Sequence, residues 1–210
     1  MKVLSLSDRV DPFIYHAEAR ERFSEINLVI GCGDLPYYYL EFVQSILNVQ
    51  VYFVRGNHAT MIEYGEDSNR IGPRGAIDLH RKVKNHQGLL LAGVEGSHRY
   101  RKGPYQYSQG EMWSHVFSLL PGLWCNRLLH GRYLDVFVTH APPWGIHDHT
   151  DLAHRGIKAF RWLLQTFKPA YHFHGHIFIY RPDAPRETLF EQTRVINTFG
   201  YRQTTITIEP

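Results

Sequence analysis

The strongest constraint on the fold of this chain is a series of short apolar runs, each followed at once by a polar or glycine residue. The runs are only a few residues long and rich in β-branched or aromatic side chains, which is typical of buried strands. They predict strands at residues 3–6, 28–30, 51–54, 89–92, 136–138 and 171–173. The chain is therefore predicted to be built on buried strands.

The segments between the predicted strands have the patterns of helices. One helix is predicted to begin at Asp11-Pro12, where a carboxylate would cap it and proline takes the first helical position. Others are predicted at residues 35–47, 111–120 and 157–167. Alternating strands and helices predict a largely parallel sheet covered by helices, with added β-structure in the tail. Residues 1–210 are predicted to form a single domain.

The composition is typical of a globular protein and argues against several classes of function. Hydrophobic residues make up 43% of the chain and charged residues 20%, which supports a substantial buried core. A formal net charge of +3 is too small to predict nucleic-acid binding. No apolar stretch approaches the roughly 20 residues that span a bilayer, and no signal peptide precedes the first strand. We expect a cytoplasmic protein without membrane contact, and the sequence leaves its oligomeric state open.

The residues that follow the predicted strands have side chains suited to catalysis. They are Asp8, Asp34, Asn57 with His58, His140 and His176. In open α/β sheets the ligand crevice lies outside the carboxyl ends of the strands, so these side chains are expected at one edge. Oxygen ligands mixed with imidazole suit Mn²⁺, Fe²⁺ or Zn²⁺. A bridged pair of such ions is a known device for phosphoester hydrolysis.

Each of these residues, taken alone, has an ordinary structural interpretation. An aspartate after a strand is usually a turn residue or a helix cap, and Gly56-Asn57 is a common turn dipeptide. A single histidine such as His140 is more often hydrogen-bonded inside a core than bound to a metal. The order of all of them, each after an apolar run, favours a functional site.

The order of these motifs resembles that of the calcineurin-like metallophosphoesterase superfamily. That superfamily has D-x-H, G-D, G-N-H-D/E, H and G-H-x-H along the chain. The corresponding residues here are Asp8, Gly33-Asp34, Gly56-Asn57-His58, His140 and Gly175-His176. The resemblance implies an α/β fold in the form of a four-layer α-β-β-α sandwich, in which two mixed β-sheets are flanked by helices.

The resemblance also implies a role for each matching residue. Asp8 and Asp34 would belong to a first metal site, and Asp34 would bridge to a second. The remaining ligands of the second site would be Asn57, His140 and His176. His58 would be the catalytic residue that protonates the leaving group or stabilises the transition state.

The chain departs from the superfamily pattern at the first metal site. Val10 and Phe178 stand where the pattern has histidine, and Ala59 replaces the acidic residue after His58. Since all four ligands of the second site remain, we expect about one tightly bound ion per chain. The first site is either empty, weak or rebuilt from other residues, for which the candidates are Asp11, His16, His147, His149 and His174.

Three further residues are candidates for binding substrate. Arg99 lies in a small basic cluster after a predicted strand and would meet an anion in bidentate fashion. His147 and His154 lie in a polar loop after His140 and would contact phosphate oxygens. For all three, an ordinary solvated side chain is the alternative.

We therefore expect a metal-dependent hydrolase of phosphodiesters or phosphomonoesters that acts on a small phosphorylated substrate. The expected cofactor is Mn²⁺, with Fe²⁺ or Zn²⁺ as alternatives. The alternative function is a catalytically degenerate scaffold of the same fold that binds a partner protein. Val10 and Phe178 favour the scaffold, whereas the intact second site opposes it.

Overall fold

The computed structural model of the chain describes residues 1–65, 69–180 and 185–208. These residues form two large β-sheets packed face to face, with helices on both outer surfaces. The strands are β1 (Lys2–Ser7), β2 (Leu28–Cys32), β3 (Gln50–Val54), β4 (Ile77–Asp78), β5 (Lys82–His86), β6 (Leu89–Val94), β7 (Ser97–His98), β8 (Gln106–Tyr107), β9 (Val136–Thr139), β10 (Tyr171–His174), β11 (Glu187–Phe190), β12 (Thr193–Asn197) and β13 (Gly200–Thr205). The helices are α1 (Ala19–Arg22), α2 (Tyr37–Leu47), α3 (Gln109–Phe117), α4 (Leu120–His130) and α5 (Lys158–Phe167).

Both large sheets are mixed. The first has the order β13-β1-β2-β3-β4, in which β1 to β4 run parallel and β13 returns antiparallel along β1. The second has the order β11-β12-β10-β9-β6-β5, in which the four central strands are parallel and both edge strands are antiparallel. The tail thus supplies edge strands to both sheets, in agreement with the β-structure predicted there.

Side chains alternate along each strand between the space separating the sheets and the space beneath the helices. Val3 on β1 and Val138 on β9 lie in the cluster between the sheets. Leu4 packs under α1 and α2, and Phe137 packs under α3, α4 and α5. Because every sheet face is covered, the short apolar strands are buried on both sides. The expected four-layer α-β-β-α sandwich is confirmed.

The carboxyl ends of the parallel strands from both sheets meet at one edge of the sandwich. The His140 ring, which follows β9, donates from Nδ1 to the Cys32 carbonyl at the end of β2, at 2.8 Å. The His176 amide, which follows β10, donates to the Asp8 carboxylate after β1, at 3.1 Å. Residues from two separate sheets therefore line a single crevice.

Every predicted strand lies within an observed strand, but the helix predicted from Asp11 is wrong. Asp11 caps only one turn: its carboxylate accepts the Phe13 amide at 3.0 Å, and its carbonyl accepts the Ile14 amide at 3.0 Å. The carboxylate also pairs with Arg9 at 2.7 Å. These contacts hold the segment as an isolated turn, and a helix begins only at Ala19.

The helix predicted over residues 111–120 is two helices in the structure. α3 begins with a capping box between Ser108 and Glu111 and ends at Phe117, and α4 follows directly. Pro121 in the first turn of α4 explains the break, because a proline ring clashes with the carbonyl four residues earlier. That carbonyl belongs to Phe117, the last residue of α3. Within the described ranges, no helix combines the length and apolar character that a membrane span requires.

Burial keeps some of the histidines of the second sheet neutral. His172 on β10 has no exposed surface, and its ring stacks on Phe137 with centroids 5.1 Å apart. Its Nε2 lies 2.8 Å from Thr139 Oγ1, whose hydroxyl donates to the Ala141 carbonyl, so Nε2 carries the proton. Among the described residues, Nδ1 has no hydrogen-bond partner. Burial lowers the pKa of His172 to about 3.

We expect this burial to make the protein sensitive to acid. An unfolded chain takes up a proton on histidine below pH about 6.5, whereas folded His172 resists protonation until about pH 3. Its contribution to the free energy of unfolding is complete above pH about 6.5 and falls by about 1.4 kcal/mol per pH unit below it. Between pH 7 and pH 5, the free energy of unfolding of His172→Phe should therefore fall by about 2 kcal/mol less than that of the wild type, measured by urea denaturation.

The same substitution at exposed His16 is the control and should leave the pH dependence as in the wild type. Equal pH dependence of His172→Phe and the wild type would contradict the assignment of a buried neutral imidazole at position 172.

Candidate functional site

The site is built where strands of both sheets turn sharply at their carboxyl ends. Asp8, Asp34 and His176 each take a left-handed backbone conformation, with φ of 67°, 53° and 69°. This conformation is unfavourable for residues with a Cβ and persists where surrounding contacts fix it. Here the Asp8 amide donates to the Gly33 carbonyl at 3.1 Å, and the His176 amide donates to Asp8. The turns aim the three side chains into the crevice.

Four ligand atoms converge at the centre of the crevice. Nε2 of His140 lies 3.0 Å from Asn57 Oδ1, 3.2 Å from Asp34 Oδ2 and 3.2 Å from His176 Nδ1. The His140 ring is completely buried, and Asn57 and His176 expose only 2% and 6% of their surface. The structure therefore brings together the four residues predicted for the second metal site.

The outer hydrogen bonds of these residues point their lone pairs inward. Nδ1–H of His140 donates to the Cys32 carbonyl, and Nε2–H of His176 donates to the Ala153 carbonyl, both at 2.8 Å. The Asn57 amide nitrogen donates to the Tyr100 hydroxyl at 3.2 Å, which turns Oδ1 toward His140. Such bonds fix the tautomer and orientation of metal-binding side chains.

Four inward lone pairs repel one another unless a positive charge lies between them. Burial opposes a charge on His140, but the neighbouring Asp34 and Asp8 carboxylates and the hydrogen bonds to Asp34 and Cys32 raise the pKa of His140 to about 9. Burial likewise opposes ionisation of Asp34, yet the charge and hydrogen bond of His140 lower the pKa of Asp34 to about 2. The site thus favours a cation at its centre. One carboxylate, one amide oxygen and two imidazoles fit a divalent transition metal.

Asp8 lies beside this cluster. The ligand atoms of Asp8, Asp34 and His140 all lie within 4.8 Å of one another. In the described part of the chain this is the only such group of three or more His, Cys, Asp or Glu side chains. Burial raises the pKa of Asp8 to about 6, even though His140 and the Ser7 hydroxyl favour its charged form.

The residues that replace the first-site histidines pack against other groups. Val10 contacts the apolar cluster beneath α1 and α2, and Phe178 packs against Phe199 with ring centroids 5.0 Å apart. Asp11 is paired with Arg9, and the His16 ring accepts the Glu18 amide at 3.2 Å. Neither of these two proposed replacement ligands joins the group around Asp8.

Two further proposed replacement ligands, buried His174 and partly buried His147, form a separate pair. Nδ1 of His147 lies 2.8 Å from Nε2 of His174, and Nε2 of His147 lies 2.9 Å from the Thr188 hydroxyl. His174 Nδ1 in turn contacts the Gly175 carbonyl at 2.9 Å. Burial lowers the pKa of His147 and His174. The ring nitrogens of His147, a predicted substrate contact, are thus both engaged in this pair.

Of the other predicted substrate contacts, His154 lies beside the site and Arg99 is engaged elsewhere. The rings of His154 and His176 lie 5.4 Å apart, and Nδ1 of His154 contacts Asp151 at 2.9 Å. His149, the last proposed replacement ligand, packs on His154 with centroids 5.8 Å apart. The Arg99 guanidinium donates to both carboxylate oxygens of Glu111 at 3.0 and 2.9 Å, which anchors it to the start of α3.

Arg101 is a site residue that the sequence reasoning missed. Its guanidinium lies 3.5 Å from Nδ1 of His58, whose side chain is exposed at the rim of the site. Because a guanidinium only donates hydrogen bonds, Nδ1 is the acceptor and Nε2 carries the proton of the neutral ring. The available signal was the basic cluster after β7, in which Arg99 and Arg101 alternate along the chain.

Glycines allow the ligand-bearing turns to approach one another. A Cβ on Gly56 would collide with the Asp34 carboxylate, and a Cβ on Gly175 would lie 2.7 Å from Asp8 Oδ2. A Cβ on Gly33, where φ is +90°, would lie 2.5 Å from His140 Nδ1. The glycines that precede Asp34, Asn57 and His176 are thus required by the close packing of the candidate ligands.

The sequence profile of the calcineurin-like phosphoesterase family matches residues 4–180. The chain belongs to this family. No curated protein matches the chain. The family is dependent on divalent metals, which agrees with the ligand cluster around His140.

Solved structures with the same fold differ strongly from this chain in sequence. The protein TT1561 of Thermus thermophilus is 14% identical with a TM-score of 0.62, over 95% of this chain and 89% of that one. GAP50, the anchor in the inner membrane complex of Plasmodium, is 11% identical with a TM-score of 0.54, over 95% of this chain and 71% of that one. At these identities the similarity establishes the fold alone.

We expect the close approach at Gly56 to be essential for the ligand cluster. Gly56→Ala should displace Asp34, lower the affinity for a divalent metal at least about 10-fold and destabilise the protein by about 1–3 kcal/mol, as overpacking does. Metal titration and urea denaturation measure the two effects.

The matched control is Gly110→Ala in the first turn of α3, where a new Cβ lies 3.9 Å from the nearest atom named, Ser108 Oγ. Alanine there should leave metal affinity unchanged and stabilise the helix by up to about 1 kcal/mol. Unchanged metal affinity in Gly56→Ala would mean that the contact with Asp34 does not shape the site.

Proposed function

We propose that this protein is a metal-dependent hydrolase of phosphoester bonds, acting on a small phosphorylated substrate. The observation that carries the proposal is the convergence of Asp34, Asn57, His140 and His176 on one point, with His58 at the rim of the same crevice. The donor set suits Mn²⁺, with Fe²⁺ or Zn²⁺ as alternatives. Family membership supports the reaction class.

In this proposal each residue of the site has a defined task. Asp34, Asn57, His140 and His176 hold about one ion, and Asp8 adds a second carboxylate beside them. A divalent ion bound there supplies Lewis-acid catalysis to phosphoryl transfer. The Cys32 and Ala153 carbonyls keep the two imidazoles turned toward the centre. The site is therefore organised before any substrate arrives.

His58 is proposed as the general acid. Its backbone amide donates to Asp34 Oδ1 at 2.8 Å, which holds it next to the ligand cluster. With Arg101 donating to Nδ1, the proton on Nε2 is the one available to the oxygen of the departing alcohol. The exposed guanidinium of Arg101 also offers a charged contact to a phosphoryl oxygen. His154 offers a further polar contact beside His176.

A cytoplasmic location and a phosphodiester or phosphomonoester substrate are part of the same proposal. Cys32 and Cys125 are both free thiols, the second exposed, which suits a reducing compartment. The ligand cluster suits either ester class, since both present phosphoryl oxygens to a bound ion.

We expect the purified protein to bind about one Mn²⁺ tightly. His176→Ala removes a ligand and should weaken this binding by about 100-fold or more, measured by titration calorimetry. His130→Ala, at the exposed histidine that ends α4, is the control and should bind like the wild type. Two equally tight ions would show that the first site is complete. Failure to bind Mn²⁺, Fe²⁺ or Zn²⁺ would rule out the metallohydrolase.

The role of His58 predicts a dependence on the leaving group. His58→Ala should slow hydrolysis of a phosphoester with a poor leaving group by about 10²–10⁴-fold, the usual effect of losing a general acid. Esters of acidic phenols should be affected less, because such alcohols depart without a proton. His130→Ala, at the exposed histidine that ends α4, is the control and should hydrolyse both kinds of ester like the wild type. Equal losses for leaving groups of different pKa would exclude His58 as the acid.

A scaffold that binds a partner protein is the second candidate function. The observation that favours it is the exposed apolar surface of α4, where Trp124, Leu128 and Leu129 are 54%, 84% and 76% exposed. Exposed apolar residues gathered on one helix are typical of protein interaction sites. A wild-type protein that turns over no phosphoester with any of the three metals would favour this function over hydrolysis.

A further inference from the structure

A cleft of about 640 Å³ opens directly beside the ligand cluster. Asp34 and His58 belong both to its lining and to the candidate site. Leu35 and Pro36, which lead into α2, and Tyr38 in its first turn line the cleft together with residues of the loop after His58. A volume of this size is typical of sites for small organic molecules and exceeds what a phosphate group needs.

The walls of the cleft present apolar side chains to solvent. Tyr38 and Ile62 are each 41% exposed, and Tyr64 is 78% exposed. All three belong to the lining, together with Leu35 and Pro36. Apolar side chains gathered at a concave surface favour an apolar occupant, because its binding removes their surface from water. Tyrosine rings in addition provide faces on which a planar group can stack.

The charged groups in the lining, apart from those at the catalytic end, are already paired. The Glu63 carboxylate accepts the amides of Tyr37 at 2.6 Å and Tyr38 at 3.1 Å, and thereby occupies the start of α2. The Arg70 guanidinium donates to Glu41 at 3.0 Å and lies 3.8 Å from Glu63. A second phosphate or a sulfate on the substrate would find no uncompensated cation among these described lining residues. These paired charges favour a neutral occupant.

We propose that this cleft binds the leaving group of the substrate and selects a neutral, apolar and preferably aromatic alcohol. This inference rests on the proposed function, since it places the phosphoryl group at the ligand cluster. His58 lines the cleft, and the residue that protonates the departing oxygen must lie next to that oxygen. The part of the substrate that extends from His58 into the cleft is thus the departing alcohol. Phosphate esters of sugars or of further phosphates are disfavoured.

The test compares ligands that differ only in the apolar group. Phenylphosphonate and methylphosphonate present the same charged headgroup, and neither is hydrolysed. With Mn²⁺ present, calorimetry should find phenylphosphonate bound about 10-fold more tightly, because one ring is removed from water. Equal affinities for the two phosphonates would overturn the proposal.

A matched pair of isoleucine variants tests whether the preference for phenylphosphonate arises in the cleft. Ile62→Ser should reduce the preference for phenylphosphonate to about 3-fold or less, whereas Ile71→Ser should retain it. Ile71 is 76% exposed and lies outside the lining, so the two variants make the same chemical change on and off the cleft. Tyr64→Ala is a second variant in the cleft. Because the Tyr64 side chain is exposed, its removal should not unfold the protein, so a lost preference in this variant reports on the cleft. Retention of the preference in both cleft variants would overturn the proposal.

Turnover separates this inference from the proposed function. Hydrolysis of benzyl and ethyl phosphate with equal kcat/KM would overturn the cleft assignment and leave the hydrolase intact. Preference for phenylphosphonate that depends on Ile62, without turnover of any ester, would support the cleft and overturn the hydrolase. Faster hydrolysis of the benzyl ester that is lost in Ile62→Ser and kept in Ile71→Ser would support both.

Discussion

The hydrogen bond from His140 Nδ1 to the Cys32 carbonyl is the interaction on which the functional half of the structure depends. It joins residues 108 positions apart and ties the end of β9 in one sheet to the end of β2 in the other. Because the ring is completely buried, nothing in solvent competes for this bond. It fixes the ring so that Nε2 faces Asn57, Asp34 and His176, which come from three other strand ends. The ligand cluster thus also connects the two sheets.

This connection has an energetic consequence. Acceptor atoms held 3.0–3.2 Å apart in a buried place destabilise the folded state unless a cation or a proton lies between them. A metal ion bound there would therefore also stabilise the fold, since binding is linked to folding. The neighbouring Arg55 illustrates how the rest of the site is held rigid. Its guanidinium contacts Asp78 at 2.5 Å and Glu95 at 3.6 Å, which fixes the end of β3 just before Gly56.

The distribution of histidines shows how position decides chemistry. The chain has 14 histidines, and three of them lie within five residues at the end of β10. His172 and His174 face the interior of the second sheet, where Thr139 and His147 satisfy one nitrogen of each. His176 lies past a turn and joins the ligand cluster instead. His174 and His176 are only two positions apart, but the turn at Gly175 places the first in the sheet and the second in the ligand cluster.

The sequence by itself determined the layers of the fold and most of the candidate metal site. Short apolar runs predict strands because only a covered sheet buries them, and motifs at their ends place Asp34, Asn57, His140 and His176 together. Such information is local, so it predicted the central buried strands but missed the short or exposed strands β4, β5, β7, β8 and β11. It also misjudged the turn at Asp11, whose carboxylate is engaged by Arg9 and by the Phe13 amide. Sequence patterns also could not distinguish Arg99 from Arg101, because both are basic and lie two residues apart.

Only the tertiary structure decided which partner each candidate substrate-binding side chain has. Arg99 is paired with Glu111 and His147 with His174, whereas Arg101 reaches His58, and these partners come from distant parts of the chain. The apolar cleft beside the ligand cluster likewise forms only when the start of α2 and the loop after His58 are brought together. Local propensity fixes strands and turns, but charge pairing and concave surfaces arise from contacts that no single segment contains.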